Sequence, residues 1–253
     1  MEWEAQATQN TKVGPVLAKK YVLVRYDSSG PLAKDIRDKY KLRRNSIALI
    51  TPEDEVLARL LNEPSADDVF TAVDGLTDFR NGMEQLAKLK EKGITKGNAE
   101  AVAAALKRIG ALASEEARTT ILPYAKDDSA PEAIQRGAIL ALGKHPDAAG
   151  EIAPYLTDKR YPIKSAAQTA VGAMGYKALP ALFNGLASDN VEMRVMCFGP
   201  ASAATKNAKL SKDLGFWKTG KEEARSKALA EWQKWYDDQE KAKEEARAPK
   251  TKK

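Results

Sequence analysis

Ile121-Leu122-Pro123-Tyr124 recurs 31 residues later as Ile152-Ala153-Pro154-Tyr155, and more loosely as Ala178-Leu179-Pro180-Ala181-Leu182. Three aspartates keep the same interval of 31 residues: Asp127, Asp158 and Asp189. Self-similarity at a period of about 20–50 residues is typical of stacked repeats, in which each unit buries its apolar face only against its neighbours. The interval therefore predicts a helical solenoid.

Helical patterns fill the sequence around these aspartates, from Asn98 to about Ala204. The predicted helices are 99–109, 114–124, 131–142, 147–156, 162–174, 179–186 and 191–203. Alanine and glycine dominate their inner positions, and small residues let neighbouring helices approach closely. Because Asp127, Asp158 and Asp189 each stand between two helices, we predict that they hold turns and cap backbone N–H groups.

The segment Asp189-Asn190-Val191-Glu192-Met193-Arg194 resembles the turn and helix start of the short HEAT repeat, and Asp158–Lys164 and Asp127–Arg136 are looser versions. The resemblance covers about residues 95–205. It implies an α-solenoid that acts as a scaffold for protein partners, although some relatives bind DNA or bilin-bearing proteins. Arg194 is a candidate partner-binding residue, with an Asp–Arg ladder along the solenoid as the alternative.

The first third of the sequence has an α/β pattern. A helix over 2–19, a strand at Tyr21–Asp27, a helix over 32–40, a hairpin over Ser46–Leu60 and a long helix from Ser65 to about Lys92 are predicted. This order resembles the thioredoxin-like fold over residues 1–80. The expected fold class is therefore α+β: a thioredoxin-like α/β segment, then an all-α HEAT-like solenoid with a C-terminal capping helix.

Redox members of the thioredoxin-like class carry C-x-x-C at the start of their first helix. This chain has no cysteine before Cys197 and no proline directly before the predicted hairpin. Thiol exchange needs an attacking thiolate and a second thiol, so the segment is expected to be inactive. It is either a trimmed remnant, a domain whose start is missing, or a small α/β cap on the solenoid.

The C-terminal part carries most of the tryptophans. Leu214–Gly220 is predicted to be a loop containing Trp217, and Lys221 to about Arg247 a helix with Trp232 and Trp235 on one face. Two interpretations remain open. The tryptophans either close the last repeat, as a terminal cap does, or form a binding surface for a protein partner. Trp217, Trp232 and Trp235 are therefore further candidate partner-binding residues.

Four segments follow from these patterns: 1–93, an incomplete thioredoxin-like domain with a long closing helix; 94–205, the HEAT-like repeats; 206–245, the aromatic loop and capping helix; and 246–253, a basic disordered tail. The single histidine, His145, is predicted in a surface turn. With one histidine and one cysteine in 253 residues, we expect no metal site, no cofactor and no catalytic residues.

The net charge of +6 lies mainly after residue 205, so nucleic acid is not expected as a partner. No apolar run reaches the roughly 18–20 residues of a membrane span, and Met1-Glu2-Trp3-Glu4 does not resemble a signal peptide. The expected location is cytoplasmic as the sequence is written, and periplasmic or exported if the true start lies upstream.

The expected function is that of a noncatalytic protein–protein interaction scaffold rather than an enzyme. Two alternatives remain: a thioredoxin-family redox protein whose catalytic start is missing or degenerate, and a nucleic-acid-binding protein that uses a basic helical surface.

Overall fold

The computed structural model describes residues 33–40, 47–50, 56–60, 66–205 and 213–247. Its elements are α1 (Ala33–Tyr40), β1 (Ile47–Ile50), β2 (Val56–Leu60), α2 (Ala66–Glu91), α3 (Ala99–Ile109), α4 (Glu115–Lys126), α5 (Glu132–Ala141), α6 (Ala149–Ile152), α7 (Tyr161–Met174), α8 (Leu179–Ala187), α9 (Val191–Thr205), α10 (Leu214–Thr219) and α11 (Glu222–Arg247). Short 3-10 turns occur at Lys96–Asn98, Leu142–Lys144, Pro146–Ala148, Ala153–Thr157 and Gly175–Ala178. The chain divides into two compact units, Met1–Pro123 and Tyr124–Lys253.

The expected α+β fold class is wrong. Within the described residues, β structure is limited to one antiparallel pair, in which Ile47 of β1 lies opposite Leu60 of β2. Two strands of four and five residues do not form the central sheet that a thioredoxin-like domain needs. The strand predicted at Tyr21–Asp27 and the helix predicted over 2–19 lie outside the described residues. The described chain is all-α in class, and its helix packing is compatible with a helical repeat protein.

In the first unit, α2 packs along α3, which has the predicted bounds Ala99–Ile109. The apolar side of α2 is buried at Val73, Leu76, Phe79 and Leu86. Gly82 lies where the two helices meet, because a Cβ atom there would stand 2.8 Å from both the carbonyl oxygen of Ala105 and the amide nitrogen of Ile109. The two backbones are therefore in contact, and only glycine fits at this position.

In the second unit, helices α5, α7 and α9 lie side by side, with α7 between the other two. Equivalent buried residues recur every 29 or 30 positions along them. Ala138, Ala167 and Cys197 form one such row. Leu142, in the 3-10 turn directly after α5, forms another with Val171 and Ala201. Each helix thus repeats the apolar face of the one before, and the small side chains in these rows permit close packing.

The segments that follow α5 and α7 also repeat, with a spacing of 30. The buried residues Ala148, Ala149, Ile152, Ala153 and Leu156 match Ala178, Leu179, Leu182, Phe183 and Leu186. Ile152–Tyr155 therefore corresponds to Leu182–Gly185, and not to the more similar sequence 178–182. The first segment is broken into 3-10 turns around the short α6, whereas the second is regular over α8. Between α7 and α8, Gly175 has φ 56, a left-handed conformation that glycine adopts without strain.

The second unit ends with two helices, α10 and α11. The predicted loop at Leu214–Gly220 is instead the short helix α10, because the side chain of Asp213 accepts a hydrogen bond from the backbone N–H of Phe216 at 2.8 Å and caps its start. Helix α11 packs on α8.

Candidate functional site

The first two phased aspartates hold identical turns. Asp127 accepts from the backbone N–H of Ser129 at 2.9 Å and from its hydroxyl at 2.6 Å. Asp158 accepts from the backbone N–H of Arg160 at 2.7 Å. Both contacts span two residues, which is the geometry of an Asx turn. These hydrogen bonds hold the pKa of each carboxyl below its usual value, through Ser129 for Asp127 and through Arg160 for Asp158.

At the third position the pattern shifts by one residue. Asn190, not Asp189, supplies the side-chain oxygen that accepts from the backbone N–H groups of Glu192 at 2.8 Å and Met193 at 3.2 Å. Ser188 accepts from the backbone N–H of Asn190 at 3.1 Å. Asp189 contributes its backbone carbonyl, which accepts from Arg194. All three turns are thus built from polar side chains near the expected positions.

Arg160 joins two successive turns. Its Nη2 atom lies 2.8 Å from Asp158 Oδ2 and 3.2 Å from Asp128 Oδ1. The Asp158 hydrogen bonds raise the pKa of Arg160, so the guanidinium stays charged. Asp128 also accepts from Nε2 of the buried Gln135 at 3.0 Å. This network joins one repeat to the next.

Arg194 is buried, with 4 % of its surface exposed. Its guanidinium donates to four backbone carbonyls, those of Ser188, Asp189, Trp217 and Lys218. It therefore ties the turn before α9 to the end of α10. A partner would not reach this side chain without local opening.

The candidate tryptophans lie in an aromatic cluster between α8, α10 and α11. Trp217 and Trp232 are fully buried, and their ring centroids are 5.8 Å apart in an edge-to-face arrangement. Trp232 also meets Phe183 of α8 at 6.1 Å, and Trp235 meets Tyr176 at 6.0 Å. Trp235 is half-buried. This placement favours the cap over the binding surface, because two of the three indoles present nothing to a partner.

A different surface is distinguished by its lack of charge. No charged residue occurs from Ser165 to Met174 in α7 or from Val195 to Thr205 in α9. The outward side of these two stretches, here called the uncharged face, consists of Ser165, Gln168, Thr169, Gly172, Ala173, Val195, Met196, Gly199 and Ala203, all exposed or half-exposed. Sequence reasoning missed this face, although the absence of charge from both helices was readable.

Contacts between α7 and α9 make the uncharged face one continuous surface. Gln168 Nε2 lies 3.5 Å from Met196 Sδ in its middle. At its edge, Lys164 Nζ lies 2.9 Å from Glu192 Oε1, so the nearest charges are paired with each other. The surface is therefore neutral, built mainly of small side chains, and bounded by an ion pair.

The titratable residues of the described part of the chain do not form a metal site. No group of three or more His, Cys, Asp or Glu residues there is arranged to hold a metal ion. Burial raises the pKa of the Cys197 thiol to about 12, so the thiol is neutral near pH 7. His145, predicted on the surface, is buried with 4 % exposed. The turn residues around it gave no signal of that burial.

Comparison with known proteins gave no relatives: no protein-family model, no curated protein and no solved structure matches this chain. Among the described helices, none combines the length and apolar character required to cross a membrane.

Proposed function

We propose that this chain is a noncatalytic scaffold of short HEAT-like repeats, and that a protein partner binds the uncharged face of α7 and α9. The observation that carries the proposal is the absence of charge from two adjacent helices whose outward side chains are exposed. Exposed sides of helices normally carry charged residues. Depletion of charge at the centre is also the compositional mark of protein–protein interfaces.

The small residues of the uncharged face and its lack of charge suit a protein partner. Small side chains such as Gly172, Ala173, Gly199 and Ala203 lose little conformational entropy on binding. They also allow a partner helix to lie close to the backbone. The face has no concentration of positive charge, which a nucleic-acid backbone would require.

Two features support the assignment of the helical repeats to the HEAT-like class. Buried residues recur every 29 or 30 positions over three helices. In the turns before α7 and α9, Asp158 and Ser188, 30 residues apart, each accept from the backbone N–H two residues further on. Supporting the noncatalytic part of the proposal, the thiol of Cys197 is buried and neutral. A redox function needs an accessible thiolate.

The test is a quantitative pull-down with the tagged full chain and lysate of its source organism. One variant, Thr169→Lys with Ala203→Lys, places two charges on the uncharged face. The control, Asn184→Lys with Gln239→Lys, places the same charges at exposed positions of α8 and α11. Far-ultraviolet circular dichroism verifies that all three proteins are equally helical.

Desolvating an unpaired charge at an interface costs at least about 1–3 kcal/mol. We therefore expect at least one protein recovered by the wild type and the control to fall about tenfold or more with the face variant. Equal recovery of every protein by all three would show that the uncharged face is not the binding surface.

A further inference from the structure

The first residues of α5, α7 and α9 form an exposed row, here called the helix-start row. Its members are Glu132, Tyr161 and Val191, which stand at the same intervals of 29 and 30 residues as the buried rows. All three side chains are exposed, Tyr161 at 77 % and Val191 at 43 %. Large apolar side chains are exposed at six positions of the described residues, and two of these six lie in this row.

The helix-start row is held in place by its own turns. The backbone N–H groups of Ile163 and Lys164 donate to the carbonyl of Arg160 at 3.1 and 3.0 Å. Pro162 occupies the second position of α7 and fixes its first turn. The side chain of Asn190 holds the first turn of α9 in the same way. Because these turns are already ordered, binding at the row requires little further ordering of the backbone.

Neighbouring members of the helix-start row are one helix apart. The helix starts are adjacent, since Arg160 Nη2 lies 3.2 Å from Asp128 Oδ1 before α5, and Lys164 Nζ lies 2.9 Å from Glu192 Oε1 of α9. The axes of packed helices are about 8–10 Å apart. The row therefore presents one side chain about every 8–10 Å to a segment that crosses the three helices.

This interval matches a segment in the polyproline II conformation. Such a segment advances about 3.1 Å per residue with three residues per turn, so every third side chain faces the same side at intervals of about 9 Å. In a β-strand, side chains on one side recur about every 6.6 Å, which is too short for the row. An α-helix would add side chains between two successive contacts, and these would meet the ion pair of Lys164 with Glu192 and desolvate it.

The chemistry of the helix-start row differs along its length. Tyr161 offers an aromatic ring, the type of side chain on which proline-rich segments dock. Val191 offers an aliphatic contact on one side of it. Glu132 offers a carboxylate on the other side, so a basic residue of the bound segment would be favoured there.

We infer that the helix-start row binds a proline-rich segment of another protein in the polyproline II conformation. Two apolar residues of this segment, three positions apart, contact Val191 and Tyr161, and a Lys or Arg three positions further on pairs with Glu132. The site lies beyond the ion pair that bounds the uncharged face. The inference does not depend on the function proposed for that face.

The test measures binding of the fluorescein-labelled peptide Arg-Pro-Pro-Leu-Pro-Pro-Leu-Pro-Pro, and of its reverse sequence, to the full chain by fluorescence anisotropy. We expect at least one of the two to bind with a Kd below about 1 mM, and Tyr161→Ala to raise that Kd about tenfold or more. Leu140→Ala, which removes an exposed apolar side chain of α5 outside the row, is the control and should leave the Kd unchanged. Thr169→Lys with Ala203→Lys should also leave it unchanged, because that variant alters only the uncharged face.

Charge and spacing are tested separately. Glu132→Lys should raise the Kd of the basic peptide about fivefold or more, and should bind a peptide with Glu in place of Arg more tightly than the wild type does. The peptide Arg-Pro-Leu-Leu-Pro-Pro-Pro-Pro-Pro has the same composition without the three-residue interval, and should bind about tenfold more weakly or less. The inference fails if neither original peptide binds, if Tyr161→Ala or Glu132→Lys leaves the Kd unchanged, or if the rearranged peptide or an alanine-based helical peptide binds equally well. Far-ultraviolet circular dichroism verifies that the variants, all at exposed positions, keep their helicity.

Discussion

The Nε atom of Arg194 donates to the backbone carbonyl of Trp217 at 2.9 Å and joins two parts of the chain that are 23 residues apart. The same guanidinium donates to Ser188 and Asp189, each at 2.8 Å, on its other side. The side chain is buried, and its described partners are backbone carbonyls rather than carboxylates. Its role follows from geometry: a planar group with five donors can satisfy carbonyls in several directions at once.

Replacing Arg194 with Lys should therefore destabilise the fold, although the positive charge is retained. A lysine has one nitrogen and cannot reach carbonyls on both sides, so buried acceptors lose their partners. We expect the free energy of unfolding to fall by about 1–3 kcal/mol, measured by urea denaturation followed by tryptophan fluorescence. Arg80→Lys on the exposed side of α2 is the control and should change stability by less than about 0.5 kcal/mol. Equal effects would contradict the structural role of Arg194.

Two glycine-to-alanine substitutions should act in opposite directions. At Gly82 the new Cβ would lie 2.8 Å from backbone atoms of Ala105 and Ile109, so α2 and α3 must separate. At Gly172, on the exposed side of α7, no atom lies within 4 Å of the new Cβ. We expect Gly82→Ala to lower the free energy of unfolding by about 1–3 kcal/mol, and Gly172→Ala to raise it by up to about 1 kcal/mol. Thermal unfolding measures both, and destabilisation by Gly172→Ala would be the contrary result.

These cases show what could be predicted from the sequence. Most of the helices and the turns at Asp127 and Asp158 follow local rules of periodicity and capping, so their positions were predicted closely. The helix predicted over 147–156 is instead a short helix between 3-10 turns, and the loop predicted at Leu214–Gly220 is a helix. The burial of Arg194 and His145 depends on segments distant in sequence, which no local pattern reports. The thioredoxin-like expectation was wrong because short strands such as Ile47–Ile50 and Val56–Leu60 show local pairing without showing whether a larger sheet surrounds them.

The turn at Asp158 should make stability depend on pH. Its hydrogen bonds with Arg160 lower the pKa of the carboxyl from the ordinary value of 3.8. The stabilising contribution is therefore complete above that value and is lost as the pH falls below it. Asp158→Asn should lower the free energy of unfolding by about 1 kcal/mol at pH 7, and the difference from the wild type should shrink between pH 4 and pH 2. Chemical denaturation at several pH values measures it, and a difference that stays constant with pH would exclude the ionised carboxylate as the cause.

Cys197 should be unreactive until the second unit unfolds. Its thiol is enclosed by α8 and α9, and burial raises its pKa from 9.0 to about 12. Because the thiolate is the nucleophile, a disulfide reagent such as dithionitrobenzoate should label the native protein at least about a hundredfold more slowly than the protein in guanidinium. The native rate should follow the opening of the fold and not the titration of an exposed thiol.

The raised pKa of the Cys197 thiol also predicts that the free energy of unfolding decreases as the pH rises above about 9. In the unfolded chain the thiol loses its proton at a lower pH than in the folded protein, which favours unfolding. Cys197→Ser offers the control, because it removes that thiol titration and should flatten this part of the pH profile. Rapid labelling of the native protein at pH 8 would show instead that the thiol is accessible and would reopen a redox function.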